Sequence, residues 1–411
     1  MSFLDLFLGI MSAIGGNVDM GQLVFTIEGG AQFGFMLLWV VVIASIGIIL
    51  FAEMSGRVAV VTKKPAFALI RDEVPRPLGL AVLIASIFVN LLTCTANIGG
   101  AAVVLQLLFG GDHRLMMVVG AALLLATIGF LELEPIERIF GLMGLGLVVY
   151  LFAAPGMAPD WSRVASGFVP QLPASPDMPG TAVYGYYVVG LFSAILMPYE
   201  VHFYSSGAVE QGWTPKQLAS NFSNAVIGFA LGGVLTVALI VTGAMAFYGR
   251  GVDPHLLGTA ALPVALALGV KGLLFVLVGM LFAVGGAAAE TALANGYSVA
   301  QFLGRTWGKN RKPRDAPVFH AGWIGLIVAS LAIALTGVPP VEVVEYSVIF
   351  AVVVLPFTYW PILRVARDRS KMGEHANGLV VDTLAWIFLT LIGLAAVAAI
   401  PLMLITHNGQ G

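Results

Sequence analysis

Eleven apolar stretches follow one another along the chain, and they constrain its fold more than any other feature. A hydrocarbon layer of about 30 Å requires about 20 apolar residues in a helix, so each stretch is long enough to cross a membrane. Only 10% of the 411 residues are charged, and the mean hydropathy is +0.95. A soluble domain of this size could not keep so much apolar surface away from water. We therefore predict an all-α integral membrane protein with 11 transmembrane helices.

The expected spans lie near residues 5–28, 31–55, 77–108, 114–133, 138–155, 182–209, 217–249, 262–303, 318–337, 343–366 and 380–405. The fourth and fifth spans leave only residues 134–137 between them, which predicts a tight turn there. The longest loop is proline-rich and lies near residues 156–180. Because no loop could hold a soluble catalytic domain, the pattern argues against an enzyme and against a nucleic-acid partner.

Lysine and arginine are concentrated in alternate loops, mainly near residues 57–76, 305–314 and 364–371. Positively charged loops stay on the cytoplasmic side of a membrane, so this distribution predicts a cytoplasmic N-terminus and an outside C-terminus. We expect a multi-pass protein of a bacterial-type inner (plasma) membrane. The lipid bilayer is then the partner that surrounds the protein, and we expect the protein to be a monomer.

Residues that break helices interrupt two of the spans at matching positions. The first span contains Gly16 and Asp19, and the sixth contains Pro198. Both breaks follow the tripeptide Ser-Ala-Ile and lie five spans apart, as an inverted repeat of five plus five helices would place them. The repeat predicts a domain organisation with a first half at residues 1–155, an outer loop at 156–181, a second half at 182–370, and an extra helix with its tail at 371–411.

Asp19 and Gln22 are the polar side chains expected at the first break. An ionised group at this depth costs several kcal/mol unless it is paired or faces water, so Asp19 is interpreted as a cation ligand or a proton carrier. The alternative is a carboxylate that caps the start of a half-helix. Gln22 offers a carbonyl oxygen three residues later, or else fills space between helices as a polar group.

Met197 and Glu200 are the corresponding candidates at the second break. A buried methionine usually serves packing, but a thioether opposite Asp19 would favour a transition metal over calcium or magnesium. Glu200 lies on the same helix face if a half-helix starts at Pro198. It is a ligand, a proton carrier, a charge that tunes the site, or a cap. Asp19 and Glu200 together supply the charge that matches one divalent ion.

These residues resemble the Nramp divalent-metal transporters. Residues 19–22 (Asp-Met-Gly-Gln), followed by 30–35 and 37–39, are similar to the first two helices of that family, whose signature is Asp-Pro-Gly-Asn. Residues 197–198 (Met-Pro), followed by two serines at 205–206, resemble its Met-Pro-His segment in helix six. Weaker similarities continue to residues 372–374, so the resemblance covers nearly the whole chain.

The resemblance implies a LeuT-like fold and cation transport by alternating access. It implies metal contacts from Asp19, Gln22 and Met197 and from the backbone carbonyls near Gly16 and Ala194. Manganese or iron(II) would be the usual substrate, with proton symport. The metal ion is cargo, and no cofactor is implied.

The chain also departs from the family pattern. Two acidic positions on the family's proton route fall at Cys94 and Asn97, and the family's His and Asn in helix six are replaced by Tyr199 and Glu200. Proton coupling is therefore expected to be weak or rebuilt. The candidates for a rebuilt route are Tyr199, Glu200, His202 and Glu290.

Three other functions stay open. A magnesium transporter of the Nramp-related type would explain the extra carboxylate and the lost proton route. A symporter for an amino acid or an organic cation could use the same architecture. A sensor that does not transport would bind the metal without flux.

Overall fold

A computed structural model describes residues 18–173, 180–252, 254 and 257–409, and this part of the chain is helical throughout apart from its connecting loops. Ten of the described helical segments are long and apolar enough to cross a membrane. The predicted all-α membrane fold is therefore confirmed. The count of eleven spans is not confirmed, because most of the first predicted span lies outside the described residues.

The helices are numbered here in chain order. They are α1 (Met20–Phe33), α2 (Leu38–Thr62), α3 (Ala66–Glu73), α4 (Arg76–Phe109), α5 (His113–Phe130), α6 (Leu133–Gly144), α7 (Val149–Gly156), α8 (Trp161–Ser166), α9 (Thr181–Ile195), α10 (Pro198–Glu210), α11 (Leu218–Phe247), α12 (Leu262–Phe302), α13 (Pro317–Ala334), α14 (Pro340–Arg367), α15 (Arg369–Met372) and α16 (Leu379–Ile405). A short 3-10 segment, Leu145–Val148, joins α6 to α7 so that the two form one span.

Two predicted boundaries are wrong. The helix that Asp19 caps continues to Phe33 and ends at Gly34, whose φ of 61° suits glycine, so the second span starts at Leu38 and not near residue 31. The tight turn expected at residues 134–137 is instead the first turn of α6. Proline at position 135 does not prevent this, because the first N–H groups of a helix have no intrahelical acceptor.

Close backbone contact holds α1 in the middle of the bundle. A Cβ atom at Gly30 would lie 2.6 Å from the carbonyl oxygen of Ile240, so α1 and α11 touch backbone to backbone. On another face of α1, the ring of Phe25 occupies the space beside Gly190 of α9. These contacts hold α1 against α11 and α9, and the site described below lies near the start of α1 and the end of α9.

The lysine- and arginine-rich loops gather on one side of the molecule, which we call the basic side. The Lys63 ammonium after α2 donates to the carbonyl oxygen of Trp213, which follows α10. The Asn310 side chain between α12 and α13 accepts a hydrogen bond of 3.0 Å from the N–H of Leu133 at the start of α6. The ends of α2, α10 and α12 and the start of α6 therefore share this side. Which compartment the basic side faces stays a prediction.

Candidate functional site

The sixth predicted span is broken, as the sequence indicates. Helix α9 ends at Ile195 and α10 begins at Pro198, with Met197 in a non-helical conformation between them. Proline fits the first helical position because its φ is fixed near the helical value and no N–H is needed there. Because Pro198 lacks an N–H, it cannot donate to the carbonyl four residues earlier, that of Ala194. The break thus frees the backbone oxygen that the family resemblance implicates.

Helix α14 holds this break in place. The Tyr359 hydroxyl donates to the carbonyl oxygen of Leu196 at 3.1 Å, and the Ser193 hydroxyl donates to the carbonyl oxygen of Val348 at 2.6 Å. Both bonds are buried. The unwound backbone is therefore a defined feature of the fold.

Asp19 caps the start of α1. One of its carboxylate oxygens accepts a hydrogen bond of 2.9 Å from the Gln22 N–H, and the side chain is 1% exposed. The Tyr199 hydroxyl donates to the other oxygen at 3.4 Å. Since Tyr199 is in the first turn of α10, this contact joins the starts of two helices at one buried point. The positive end of the α1 dipole lies at this carboxylate, and α10 reaches it through the Tyr199 side chain.

The capping alternative for Asp19 is thus part of the structure, yet it uses only one of the two carboxylate oxygens. The second oxygen has the long contact to Tyr199 and stays open to a further partner. Capping and ion binding are compatible at this residue.

Gln22 and Asn97 complete the polar surroundings of Asp19. The Met20 N–H donates to the side-chain oxygen of Asn97 at 3.2 Å, which ties the start of α1 to α4. The side-chain oxygen of Gln22 is buried and has no hydrogen-bond partner among the described residues. A buried acceptor without a partner is costly and suggests an unseen one.

Glu200 lies in the first turn of α10, where its N–H donates to the Met197 carbonyl at 3.3 Å. Its side chain is 6% exposed, and its Oε2 atom has no partner within the part of the chain described. Met197, the residue before α10, makes no side-chain cap bond, and Glu200 is the acidic residue of the first turn, where the helix dipole favours a negative charge, so the capping alternative stays a prediction beside the ligand and proton-carrier roles. The sulfur-bearing side chain of Met197 is fully buried at the same helix start.

Two other candidates lie apart from this group. The His202 imidazole contacts the Thr358 hydroxyl, 3.3 Å from its Nε2 atom, and the ring of Phe67. Glu290 lines a narrow cavity between α6, α10 and α12, together with Glu137. Gly16 lies outside the described residues.

Three further carboxylates were not predicted from the sequence. Glu28 of α1 and Glu345 of α14 are almost fully buried, and the Tyr187 hydroxyl donates to Glu28 at 3.3 Å. Glu137 was placed in a turn and is in fact within a span. An acidic residue inside an apolar stretch is the signal that could have found Glu28 and Glu345.

The site therefore offers carboxylate, amide and carbonyl oxygens and one thioether where helices α1 and α10 begin. No group of three His, Cys, Asp or Glu side chains that could hold a metal ion occurs among residues 18–173, 180–252, 254 and 257–409. An ion at this site would need the amide, backbone and thioether donors in addition to acidic groups.

An all-helical membrane protein with a polar site where a spanning helix breaks has the architecture of a secondary transporter. Residues 9–401 match the family model described as natural resistance-associated macrophage protein-like. The chain therefore belongs to the Nramp family, a family of membrane transporters and not of enzymes, as the sequence resemblance indicated.

Two relatives agree with this membership. The chain is 26% identical over 393 residues to the divalent metal cation transporter MntH of Deinococcus radiodurans, covering 91% of this chain and 84% of the relative. It is 27% identical over 385 residues to MntH of Verminephrobacter eiseniae, covering 90% and 82%.

The structural matches show the fold alone. The Eremococcus coleocola manganese transporter, solved with an aromatic bis-isothiourea compound, superposes with a TM-score of 0.69 at 21% identity, covering 95% of this chain and 84% of that one. Mhp1, a nucleobase-cation-symport-1 family transporter, superposes with a TM-score of 0.56 at 13% identity, covering 97% and 92%. The predicted LeuT-like fold is confirmed by these neighbours.

Proposed function

We propose that this protein transports a divalent metal cation by alternating access, with Asp19, Gln22, Met197 and the Ala194 carbonyl as ligands. The observation that carries the proposal is the meeting of two buried helix starts at the Asp19 carboxylate. A cation placed there would satisfy the unpartnered Gln22 oxygen and offset the buried negative charge. The relatives named MntH and the manganese transporter of the same fold support this choice of substrate class.

The remaining ligand assignments follow the same logic. The Gly16 carbonyl stays a prediction from the family resemblance. Glu200 is either a further ligand or a charge that raises the cation affinity of the site. Asp19 and Glu200 together balance one divalent ion, and both would repel the carboxylate of an amino-acid substrate. This charge favours a metal cation over an organic anion.

A transition metal of the manganese or iron(II) class is the favoured substrate. The reason is the fully buried Met197, because thioether sulfur binds soft or borderline metals and contributes little to the affinity for magnesium. Magnesium is the second candidate. It is favoured by the buried Glu200 carboxylate, which adds a hard oxygen donor with no partner among the described residues.

A titration of purified protein separates these substrates. We expect saturable binding of Mn²⁺, weaker binding of Mg²⁺ and none of a panel of amino acids, measured by calorimetry in detergent. Uptake into liposomes must accompany binding, since a sensor would bind without flux. Saturable amino-acid binding without divalent cation binding would replace the proposal by an organic symporter.

We expect transport to depend little on a proton gradient. Cys94 and Asn97 occupy the positions where the family's proton route has carboxylates, and Asn97 is engaged with the Met20 N–H. A carrier that moves one proton with each ion would gain about tenfold in accumulation per pH unit of gradient. Liposomes with an encapsulated pH indicator would show the difference. Stoichiometric acidification during metal uptake would instead indicate a rebuilt route through Glu200, Tyr199, His202 or Glu290.

The basic side is proposed to face the cytoplasm of a bacterial-type cell, with the protein acting as a monomer in the plasma membrane. Positively charged loops are retained on that side during insertion. The C-terminus would then lie outside, and the loops after α2, α10 and α12 would border the cytoplasmic exit.

A further inference from the structure

The start of α1 is tied to α4 at one residue. The Met20 N–H donates to the side-chain oxygen of Asn97 at 3.2 Å, and both residues are fully buried. The Met20 side chain also lies against α4, because a Cβ atom at Gly100 would come within 2.9 Å of its sulfur. Asn97 and Gly100 are three residues apart and therefore share a face of α4. Helix α4 thus holds the residue that follows Asp19 by its backbone and by its side chain.

The bond satisfies a donor that α1 itself leaves without an acceptor. The first four N–H groups of a helix have no intrahelical acceptor, and Met20 is the first residue of α1. The Asp19 carboxylate accepts from the Gln22 N–H, two residues further on. Asn97 supplies the acceptor for Met20 from another helix. Because a buried N–H without an acceptor is costly, removal of the Asn97 oxygen should disturb the start of α1.

The same bond joins two departures from the family pattern. Proline, which the family signature has where Met20 stands, fixes its own φ and has no N–H that needs an acceptor. Met20 brings an N–H to this buried position, and Asn97 stands where the resemblance places a carboxylate. Asp19 has a ψ of −179°, an extended conformation that also suits a residue before proline. The start of α1 would therefore accept either residue, and the N–H is the difference that the amide oxygen satisfies.

The Asn97 amide lies beside the ion site without an evident role as a ligand. Its oxygen already accepts from the residue next to Asp19. Its nitrogen is buried, has no hydrogen-bond partner among the described residues, and carries only donors, so it cannot bind a cation. The oxygen keeps a second lone pair, and the experiment below distinguishes a ligand from a group that holds α1 in position.

We propose that Asn97 is a positioning residue for the ion site: its side-chain oxygen fixes the start of α1 so that Asp19 stays beside the start of α10. This inference rests on the proposed function. A site shared by two helices binds more tightly when both helix ends are held in place before the ion arrives. The contact from Tyr199 to Asp19 is too long, at 3.4 Å, to hold α1 by itself. Without the Asn97 oxygen, ion binding would have to order the start of α1 and would weaken.

A cycle of substitutions at residues 20 and 97 isolates this bond in the full-length protein. Met20→Ala and Met20→Pro both remove the Met20 side chain, but only the alanine keeps the N–H. Proline is well tolerated at the first position of a helix. Asn97→Leu removes the acceptor at similar volume, and it is made alone and in each of the two Met20 variants. Calorimetric titration with Mn²⁺ in detergent gives the Kd and the number of sites. Destabilisation of the whole fold lowers the number of sites, whereas displacement of α1 raises the Kd.

Asn90→Leu is the matched control for the loss of a buried amide. Asn90 lies seven residues before Asn97 on the same face of α4 and is 1% exposed. No hydrogen bond joins Asn90 to α1 within the part of the chain that the structure describes. The control should therefore keep the Kd of the variant in which it is made.

We expect Asn97→Leu to weaken Mn²⁺ binding about tenfold in the wild type and in Met20→Ala, because the N–H of residue 20 loses its acceptor. In Met20→Pro the same substitution should change the Kd by less than about twofold, the limit for sites that do not interact. If Asn97→Leu does not fold, Asn97→Ala in the same variants gives the same comparison.

Two results would overturn the inference and leave the proposed function standing. One is an equal loss of affinity in Met20→Ala and Met20→Pro, which would make Asn97 a direct ligand or a packing residue. The other is an unchanged Kd when Asn97→Leu is added to Met20→Ala. A wild type that binds no Mn²⁺ is a different outcome, since it would remove the proposed function and this inference with it.

Discussion

Replacing Asp19 by alanine should lower divalent cation affinity at least about 30-fold while the protein still folds and inserts, because truncating one member of a buried charge pair costs roughly 2–5 kcal/mol. Asp19 is the buried carboxylate at which the two helix starts meet. The loss of its helix cap costs only about 1 kcal/mol, which a bundle of this size tolerates. Calorimetric titration with Mn²⁺ is the measurement.

Two companion variants separate charge from capping. Asp19→Asn keeps a good cap and removes the charge, so it should bind metal as poorly as Asp19→Ala while retaining wild-type thermal stability. The Asp112 side chain caps α5 in a comparable way, because it accepts a hydrogen bond of 3.0 Å from the Leu115 N–H on the surface, and Asp112→Ala removes this cap. It should leave binding unchanged. Wild-type Mn²⁺ affinity in Asp19→Asn would show that the carboxylate only caps the helix.

Replacing Met197 by alanine should lower the preference for Mn²⁺ over Mg²⁺ by about tenfold, because the lost thioether binds a transition metal and contributes little to magnesium. Competitive uptake of the two ions into liposomes measures the ratio. Mg²⁺ transport should persist, since Asp19, Gln22 and Glu200 still offer oxygen atoms. An unchanged ratio would refute the proposed role of the Met197 sulfur in ion selection and would favour magnesium as the substrate.

The control for this variant is a second methionine at the same depth. Met20 follows Asp19 directly, is fully buried and packs its sulfur against Gly100 of α4. Met20→Leu and Met197→Leu conserve volume, which limits the packing cost to less than about 1.5 kcal/mol. Only the Met197 variant should change ion preference. If both do, the change comes from packing.

The break of the sixth span could be predicted because proline removes a specific backbone hydrogen bond. Asp19 could be identified because an acidic residue in an apolar stretch has few stable roles. Both inferences depend on local chemistry that the sequence displays directly. Their roles as ligands stay predictions, because the geometry shows proximity and unpartnered atoms and the family supplies the interpretation.

What the sequence could not show depends on contacts between distant segments. The bond between Tyr199 and Asp19 spans most of the first half of the chain, and no local pattern indicates it. Glu137 was misplaced because Pro135 suits a turn and the first turn of a helix equally well. The pairing of Glu137 with Glu290 in one cavity became visible only when α6 and α12 were placed side by side.

The two hydrogen bonds from α14 to the unwound backbone have a mechanical consequence. The bonds of Tyr359 to Leu196 and of Ser193 to Val348 fasten the end of α9 to α14 on the α9 side of the break. The ring of Tyr359 also stacks on Phe51 of α2 at 4.1 Å. Any rearrangement that keeps these bonds must carry α9 and α14 together as one rigid piece, so rotation is concentrated at Met197, the joint at which α10 starts.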